Sequence, residues 1–259
     1  ALARRPVGDI DIATPLVPQT VIARLEAAGL KAVPTGLKHG TVTAVAEGRP
    51  FEITTLRRDV STDGRHAEVA FTDDWRADAA RRDFTINALS ADMDGNVYDY
   101  FDGIADLSHG RVRFVGDPPR RIREDYLRIL RFFRFQARYG RPPADPSALD
   151  ACRAARAHLT ELSAERIRDE LLKILAADDP TGAAGLMAGY RILEPVLPEA
   201  SHLGRLRTLV WLETRAVVLE GLSPDPLRRL AALLTVDGDS EPEAAARGIA
   251  GRLRLSNAE

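Results

Sequence analysis

The hydrophobic periodicity of the sequence changes at Pro118-Pro119, and this change most constrains the fold. Before it, β-branched runs at 40–46 and 50–56 flank Glu47-Gly48-Arg49, a pattern typical of a β-hairpin. Residues 18–29 have helical spacing and end at a glycine. After the two prolines, apolar residues recur at helical spacing and further prolines separate the segments. The pattern predicts an α/β or α+β domain with a mixed β-sheet, followed by an all-α part.

Shorter patterns complete the predicted elements. Further strands are expected at 10–13, 97–101 and 112–115, and a polar loop at 57–76. Helices are expected at 78–91, 120–139, 147–157, 164–176, 180–188, 202–219 and 226–234.

Composition excludes several classes of protein. Hydrophobic residues make up 45% of the 259 residues, which is enough for a buried core and argues against global disorder. The net charge of −2 excludes a globally basic nucleic-acid coat protein. Among 36 basic residues only three are lysines, and arginine is the better phosphate ligand, although gene base composition explains such a bias equally well.

The single cysteine, Cys152, excludes an internal disulfide framework and a cysteine-based zinc site. No apolar run approaches the roughly 20 residues that span a bilayer, and no signal peptide is recognisable. The sequence therefore predicts a soluble, cytoplasmic protein without a membrane partner.

Three acidic residues form the first candidate site. In a strand Asp9 and Asp11 point to one face, about 6–7 Å apart, while Ile10 and Ile12 point to the other. Glu52, on a second predicted strand, supplies a third carboxylate. Such a set suits two divalent cations that catalyse phosphoryl transfer. Solvated acids on an edge strand are the alternative interpretation.

The stretch RRDFTINAL at 81–89 forms the second candidate site. On the predicted helix, Asp83 and Asn87 are four residues apart and share a face. A carboxylate beside an amide suits a sugar hydroxyl, and the adjacent Arg82 suits a phosphate. An ordinary charged helix start is the alternative.

The third candidate is an arginine-rich helix in EDYLRILRFFRF at 124–135. Helical geometry places Arg128, Arg131, Arg134 and Arg138 within a 120° arc, by about 100° per residue. Leu127, Phe132 and Phe135 fall within or beside that arc, so the face is not simply solvated. Residues 111–141 hold ten arginines and three acids, which favours a functional basic surface over a solvated amphipathic face.

The chain resembles the bacterial tRNA nucleotidyltransferases (CCA-adding enzymes) and the related bacterial poly(A) polymerases. Both belong to the DNA polymerase β-like nucleotidyltransferase superfamily. The resemblance lies in the order of DIDIAT, FEITTLR, RRDFTINAL, FDGIADL and EDYLRILRFFRF, and it ends in an LSxERIxxEL-type stretch at Leu162–Leu171.

This resemblance implies roles for the candidate residues. Asp9 and Asp11 would bind two catalytic Mg²⁺ ions, and Glu52 would be the third catalytic acid. Arg82, Asp83 and Asn87 would contact the incoming nucleotide, the last two at the ribose. The remaining implied residues select the base or contact its phosphates: Glu124, Asp125, Arg128, Arg131 and Arg134.

Hydrogen-bond chemistry supports such base selection. Cytosine and adenine present an amine beside a ring-nitrogen acceptor, whereas uracil and guanine present a carbonyl beside a ring N–H. A carboxylate at Asp125 and a guanidinium at Arg128 would bind the first pair and repel the second. An RNA 3′-hydroxyl would then attack the α-phosphate of CTP or ATP and release pyrophosphate.

The sequence departs from the family pattern at both ends. In the close family a GGxVRD motif that grips the triphosphate precedes the first aspartate, and the eight residues before Asp9 lack it. We expect a segment missing before Ala1 and a body that continues past Glu259. The expected domains are a catalytic head at 1–115 without its phosphate loop, a helical neck at 116–190 that binds nucleotide and RNA, and a partial helical body at 191–259.

The predicted function is template-independent addition of CMP and AMP to the 3′ end of tRNA. A poly(A) polymerase that uses ATP alone is the alternative by the same chemistry. A non-catalytic RNA-binding module is the alternative from another class.

Overall fold

The computed structural model describes residues 2–3, 5, 8, 10–62, 67–200, 202–216, 223–234 and 242–256. The chain divides into two compact units, Ala1–Ala105 and Asp106–Glu259. The first unit mixes strands and helices and the second is helical, as the change of periodicity predicts. The finer division into head, neck and body at 1–115, 116–190 and 191–259 stays a prediction.

A four-stranded mixed sheet forms the centre of the first unit. Its strands are β1 (Asp11–Thr14), β2 (Lys31–Gly36), β3 (Thr41–Ala46) and β4 (Arg49–Thr55). The order is β1-β4-β3-β2, with β1 parallel to β4 and the other pairs antiparallel. Helix α1 (Pro18–Ala27) packs against β2 and β3. The predicted hairpin and helix are confirmed, whereas the sequence pattern did not reveal β2.

Smaller elements follow the sheet. Strands β5 (Arg57–Thr62) and β6 (Ala67–Phe71) pair antiparallel, so the prediction of a loop at 57–76 is wrong. The polar sequence of β5 (RRDVST) had hidden its extended backbone, whereas β6 (AEVAF) is mostly apolar. Helix α2 (Trp75–Ala80) comes next, then the short antiparallel pair β7 (Ser90–Ala91) and β8 (Val97–Tyr98), and then α3 (Gly103–His109).

The second unit is built from helices. In chain order they are α4 (Pro118–Glu124), α5 (Leu127–Tyr139), α6 (Pro146–Ala155), α7 (Ala164–Leu175), α8 (Thr181–Gly189), α9 (Leu203–Trp211), α10 (Pro226–Leu233) and α11 (Pro242–Leu253). The strand predicted at 112–115 does not form, although Phe114 makes a single β-bridge. Val112, Phe114 and Val115 are buried, and the Phe114 ring stacks on Phe132 of α5 with the ring centres 6.0 Å apart. Helix α5 packs against α7 and α8 and buries Ile129, Leu130, Phe132 and Phe133 completely.

A buried ion pair joins α10 to the turn that follows α9. The side chains of Arg229 on α10 and Glu213, in a π-helical turn after α9, are both fully buried. Arg229 Nε donates to Glu213 Oε2 at 2.6 Å. Its Nη1 donates to the carbonyl oxygens of Leu175 at 2.7 Å and Ala177 at 2.6 Å. These carbonyls lie at the C-terminus of α7, on its last residue and just beyond it, where the helix itself supplies no donors.

Among the residues that the structure describes, every helix is too short or too polar to span a bilayer.

Candidate active site

The parallel pairing of β1 and β4 places two of the predicted catalytic acids side by side. Asp11 and Glu52 are direct register partners on strands about 4.8 Å apart, so their side chains share one face of the sheet. Both residues are exposed. Thr43 on β3 is the other register partner of Glu52 and continues this face with a hydroxyl. The third predicted acid, Asp9, lies outside the described residues.

The opposite face of the sheet explains why the pairing of β3 with β4 is fixed. Val42 and Ala44 alternate with Thr43 on β3 and are buried. A shift by one residue would move these apolar side chains to the polar face. Burial of this face therefore fixes the β3–β4 register, whereas Ile12 on β1, the register partner of Ile53, stays 39% exposed.

The motif RRDFTINAL does not form the predicted helix over 78–91. Helix α2 ends at Ala80, and a separate 3₁₀ turn spans Thr85–Asn87. Asp83 is 5% exposed, and its Oδ1 accepts the Phe84 backbone N–H and the Asn87 Nδ2–H, both at 2.9 Å. The predicted proximity of Asp83 and Asn87 is therefore confirmed, but a 3₁₀ turn rather than a helix face produces it.

Arg82 reaches around this turn. Its Nη1 donates to the Asn87 carbonyl oxygen and its Nη2 to Asp78 Oδ2, each at 3.4 Å. The side chain remains 37% exposed. The turn thus brings together a buried carboxylate, a half-buried amide and a partly exposed guanidinium. Such a set suits a ligand with hydroxyl and phosphate groups.

Gly103, at the start of α3, packs closely against the backbone of the same turn. A Cβ added there would lie 2.2 Å from the Thr85 carbonyl oxygen and 3.0 Å from Leu89 Cδ2. We expect Gly103→Ala to destabilise the protein by about 1–3 kcal/mol, because the backbone of the turn must move. Urea unfolding measures this. Gly185→Ala in α8, where no atom lies within 4 Å of the added Cβ, is the control and should be neutral or stabilising. Equal stability of both variants would contradict the expectation.

The arginine-rich segment is two helices rather than the single predicted helix at 120–139. The break lies at Asp125, whose backbone is extended at φ −158° and ψ 110°. Its carboxylate accepts the Leu127 backbone N–H at 3.0 Å and so caps the start of α5. Asp125 therefore lies before the helix that carries Arg128, not on the same helix face.

Glu124 lies at the centre of a cluster of arginines. Its Oε2 accepts from Arg128 Nη1 at 2.6 Å and from Arg121 Nη1 at 2.7 Å. Arg128 Nη1 also donates to the Arg121 carbonyl oxygen at 2.9 Å, and its side chain is 14% exposed. Burial lowers the pKa of the Arg121 guanidinium, while the charge of Glu124 opposes this shift. Glu124 therefore fixes the orientation of Arg128.

Asp125 has a separate partner. Arg166 on α7 donates Nη2 to its two carboxylate oxygens at 2.8 and 3.1 Å, and both side chains are about one-third exposed. The structure thus holds the two predicted base-selecting groups independently. Glu124 orients Arg128, and Arg166 orients Asp125.

The two other predicted phosphate ligands differ in surroundings. Arg134 Nη1 donates to Glu170 Oε1 at 2.9 Å, where Glu170 is buried on α7. The guanidinium carbons of Arg131 and Arg134 lie 5.7 and 5.2 Å from the centre of the Phe135 ring. The expectation that this face is not simply solvated is confirmed, because arginines alternate there with aromatic and ionic partners.

Sequence reasoning did not select Arg166, Glu170 or Asp78. Arg166 and Glu170 are four residues apart in the LSxERIxxEL-type stretch, so a predicted helix already places them on one face. This spacing could have identified both residues as partners for charged groups on a neighbouring helix. For Asp78, no local sequence pattern marks the side chain as buried.

Two family models match the chain. Residues 1–113 match the poly A polymerase head domain. Residues 145–203 match the model described as a probable RNA and SrmB-binding site of polymerase A. The two matches cover the sheet with the turn at Thr85–Asn87, and helices α6 to α8.

Curated relatives and solved structures agree with these models. The mouse mitochondrial CCA tRNA nucleotidyltransferase 1 is 43% identical over 236 residues, covering 89% of this chain and 53% of the relative. The CCA-adding enzyme of Lactobacillus johnsonii is 39% identical over 175 residues, covering 67% of this chain and 43% of the relative. The CCA-adding enzyme of Bacillus stearothermophilus, solved with CTP, is 28% identical with a TM-score of 0.72, covering 99% of this chain and 60% of that one.

The chain spans about half the length of the curated relatives it matches. The motif order, the head-domain match and the relatives agree in their assignment. The chain belongs to the family of tRNA nucleotidyltransferases and poly(A) polymerases, within the DNA polymerase β-like nucleotidyltransferase superfamily.

Proposed function

We propose that the protein adds CMP and AMP from CTP and ATP to the 3′ end of tRNA without a nucleic-acid template, releasing pyrophosphate. The observation that carries this proposal is the pairing of Asp11 with Glu52 on the polar face of the sheet. Relatives of this chain at 39–43% identity are named as CCA tRNA nucleotidyltransferases and CCA-adding enzymes.

The paired acids fit the Mg²⁺ that the family implies. Carboxylate oxygens are the preferred protein ligands of this ion, and both residues are exposed and adjacent in register. The described residues alone contain no cluster of three metal-binding side chains, and Asp9 is the proposed additional ligand. Two bound Mg²⁺ ions would stabilise the attacking and leaving oxygens of the transferred nucleotidyl group.

The head also supplies groups for the sugar and the phosphates. Because Asp83 is buried and holds the Asn87 amide, we assign it to orienting Asn87 toward the ribose hydroxyls. Arg82 is partly exposed beside the same turn and is assigned to the triphosphate. Arg131 and Arg134 stay proposed phosphate ligands, and Arg134 would have to share its guanidinium with Glu170.

In the helical unit, Asp125 and Arg128 are proposed to select the base. A carboxylate that accepts from the exocyclic amine and a guanidinium that donates to the ring nitrogen fit cytosine and adenine. Uracil and guanine would face unpaired or repelling groups, which is a large penalty in a partly buried site. The separate ion pairs of Asp125 with Arg166 and of Arg128 with Glu124 support this assignment, because they orient both groups before a nucleotide binds.

The proposed RNA partner is the 3′ end of tRNA. The match of residues 145–203 to an RNA-binding model supports an RNA substrate. The Bacillus stearothermophilus relative was solved with CTP, which supports this nucleotide as a substrate. A cytoplasmic location stays a prediction, because the mouse relative is mitochondrial.

Incorporation of labelled nucleotides tests the function. We expect both CMP and AMP to be added to a tRNA transcript that lacks its terminal CCA, and neither UMP nor GMP to be added. A transcript that already ends in CCA is the control. Tailing of unrelated RNA with AMP alone would favour the poly(A) polymerase. RNA binding with no incorporation of any nucleotide would favour the non-catalytic module.

A further inference from the structure

Asp78 on α2 is a buried acid that the assigned roles leave unexplained. Its residue is 5% exposed, although the helix is only six residues long. It does not cap α2, because the cap is the exposed Asp74, whose Oδ1 accepts the Arg76 and Ala77 backbone N–H groups. A buried carboxylate is costly unless charged or hydrogen-bonding partners satisfy it.

The partners of Asp78 come from two directions. Its Oδ1 accepts the Arg57 backbone N–H at 3.2 Å and Arg81 Nε at 3.1 Å. Its Oδ2 accepts Arg82 Nη2 at 3.4 Å. One carboxylate therefore joins the first peptide of β5 to two consecutive arginines after α2.

The contact with Arg57 lies where the β5–β6 pair begins. Leu56, just before it, is buried, and its carbonyl oxygen accepts the Thr72 backbone N–H at 2.9 Å just after β6. Arg57 Nη1 also donates to the His39 carbonyl oxygen at 2.6 Å. Hydrogen bonds thus hold the β5–β6 pair at the end where β5 begins and β6 ends, and Asp78 accepts one of them.

The contact with Arg82 continues into the turn at Thr85–Asn87. Arg82 Nη1 donates to the Asn87 carbonyl oxygen, and Asn87 Nδ2 donates to Asp83. Both hydrogen bonds of Arg82 are long, at 3.4 Å, so its guanidinium is guided but not held tightly. With 37% of its side chain exposed, Arg82 presents its guanidinium to a ligand while Asp78 and Asn87 set its direction.

We propose that Asp78 is a positioning residue that aims the Arg82 guanidinium at the incoming nucleotide and couples it to the base of the β5–β6 pair. This inference rests on the proposed function, in which Arg82 binds the triphosphate. It further proposes that a change at the start of β5 alters the position of Arg82, and the reverse, because both contact the Asp78 carboxylate.

Asp78→Asn tests the positioning role. The amide keeps an acceptor for the Arg57 N–H but loses the negative charge that attracts the Arg81 and Arg82 guanidinium groups. We expect the Kd for ATP and for CTP, measured with Mg²⁺ by calorimetry, to rise about tenfold. Asp74→Asn is the matched control, since it removes the same charge from the same helix, and asparagine caps a helix equally well. Its Kd should equal that of the unsubstituted protein.

A double-mutant cycle with Arg82→Gln separates positioning from general damage. If Asp78 acts through Arg82, Asp78→Asn should change the Kd less than about twofold in the Arg82→Gln background. If the fold-change in Kd of the double variant equals the product of the two single fold-changes, the proposal is overturned. An unchanged Kd in Asp78→Asn alone would also overturn it. If the unsubstituted protein binds neither nucleotide, the proposed function itself fails, and this inference falls with it.

Hydrogen exchange tests the coupling without any substitution at Asp78. We expect saturating ATP to slow amide exchange at the start of β5 in the unsubstituted protein and to leave it unchanged in Arg82→Gln. If bound ATP leaves the exchange rate of the Arg57 backbone amide in the unsubstituted protein unchanged, the coupling is overturned. This result does not depend on whether Asp78→Asn folds.

Discussion

Asp11→Asn is expected to reduce nucleotide incorporation about a thousandfold or more while leaving RNA affinity unchanged. Asp11 lies beside Glu52 on the exposed polar face of the sheet, where the proposed metal site requires a negative charge. Asparagine has the same shape, so β1 and its register should persist. The loss should therefore appear in the rate of incorporation and not in the stability of the fold.

The experiment compares three proteins under identical conditions. Single-turnover incorporation into tRNA measures the rate, and a gel-shift titration with the same tRNA measures affinity. Glu47→Gln is the control, because Glu47 is an exposed acid in the turn between β3 and β4 of the same sheet. Incorporation by Asp11→Asn at more than a tenth of the unsubstituted rate would contradict the assignment of Asp11 as a metal ligand.

The strand positions of Asp11 and Glu52 were predictable because their pattern is local. Alternation of polar and apolar residues in 10–13 and 50–56 assigns each acid to a strand face. The turn at Glu47-Gly48-Arg49 fixes the β3–β4 pairing. The missing step was the parallel pairing of β1 with β4, which depends on tertiary structure. A shared motif order with known enzymes supplied that step as a resemblance.

The places where helices end were less predictable. Neither Arg81 nor Asp125 is followed by the glycine or proline that normally marks a helix end. In both cases an aspartate side chain accepts a nearby backbone N–H and replaces a helical hydrogen bond. Burial of Phe84 and the ion pair between Asp125 and Arg166 make these breaks favourable. Because Arg166 is 41 residues away from Asp125, no local pattern shows this partner.

A second large effect is expected at the buried pair of Arg229 and Glu213. Arg229→Met should lower the free energy of unfolding of the helical unit by about 3–5 kcal/mol. The substitution leaves Glu213 buried with only Arg228 Nη1, at 3.2 Å, as a charged partner among the described residues. It also removes the donor to the Leu175 and Ala177 carbonyl oxygens at the end of α7.

Fluorescence can report this unit separately. The sequence has two tryptophans, Trp75 in α2 and Trp211 at the end of α9, two residues before Glu213. In a Trp75→Phe background, urea unfolding followed through Trp211 measures the stability of the helical unit alone. Arg247→Met is the control, because Arg247 pairs with Glu243 on an exposed face, and it should change the stability by less than about 0.5 kcal/mol.

The double variant Arg229→Met with Glu213→Met reveals the origin of the effect. If the single variant is unstable because a buried carboxylate loses its partner, removing that carboxylate should restore part of the stability. If instead the lost hydrogen bonds to the end of α7 dominate, the double variant should be no more stable than Arg229→Met. A single variant within about 1 kcal/mol of the unsubstituted protein would show that the pair contributes little, because removing one partner of a buried ion pair normally costs about 3–5 kcal/mol.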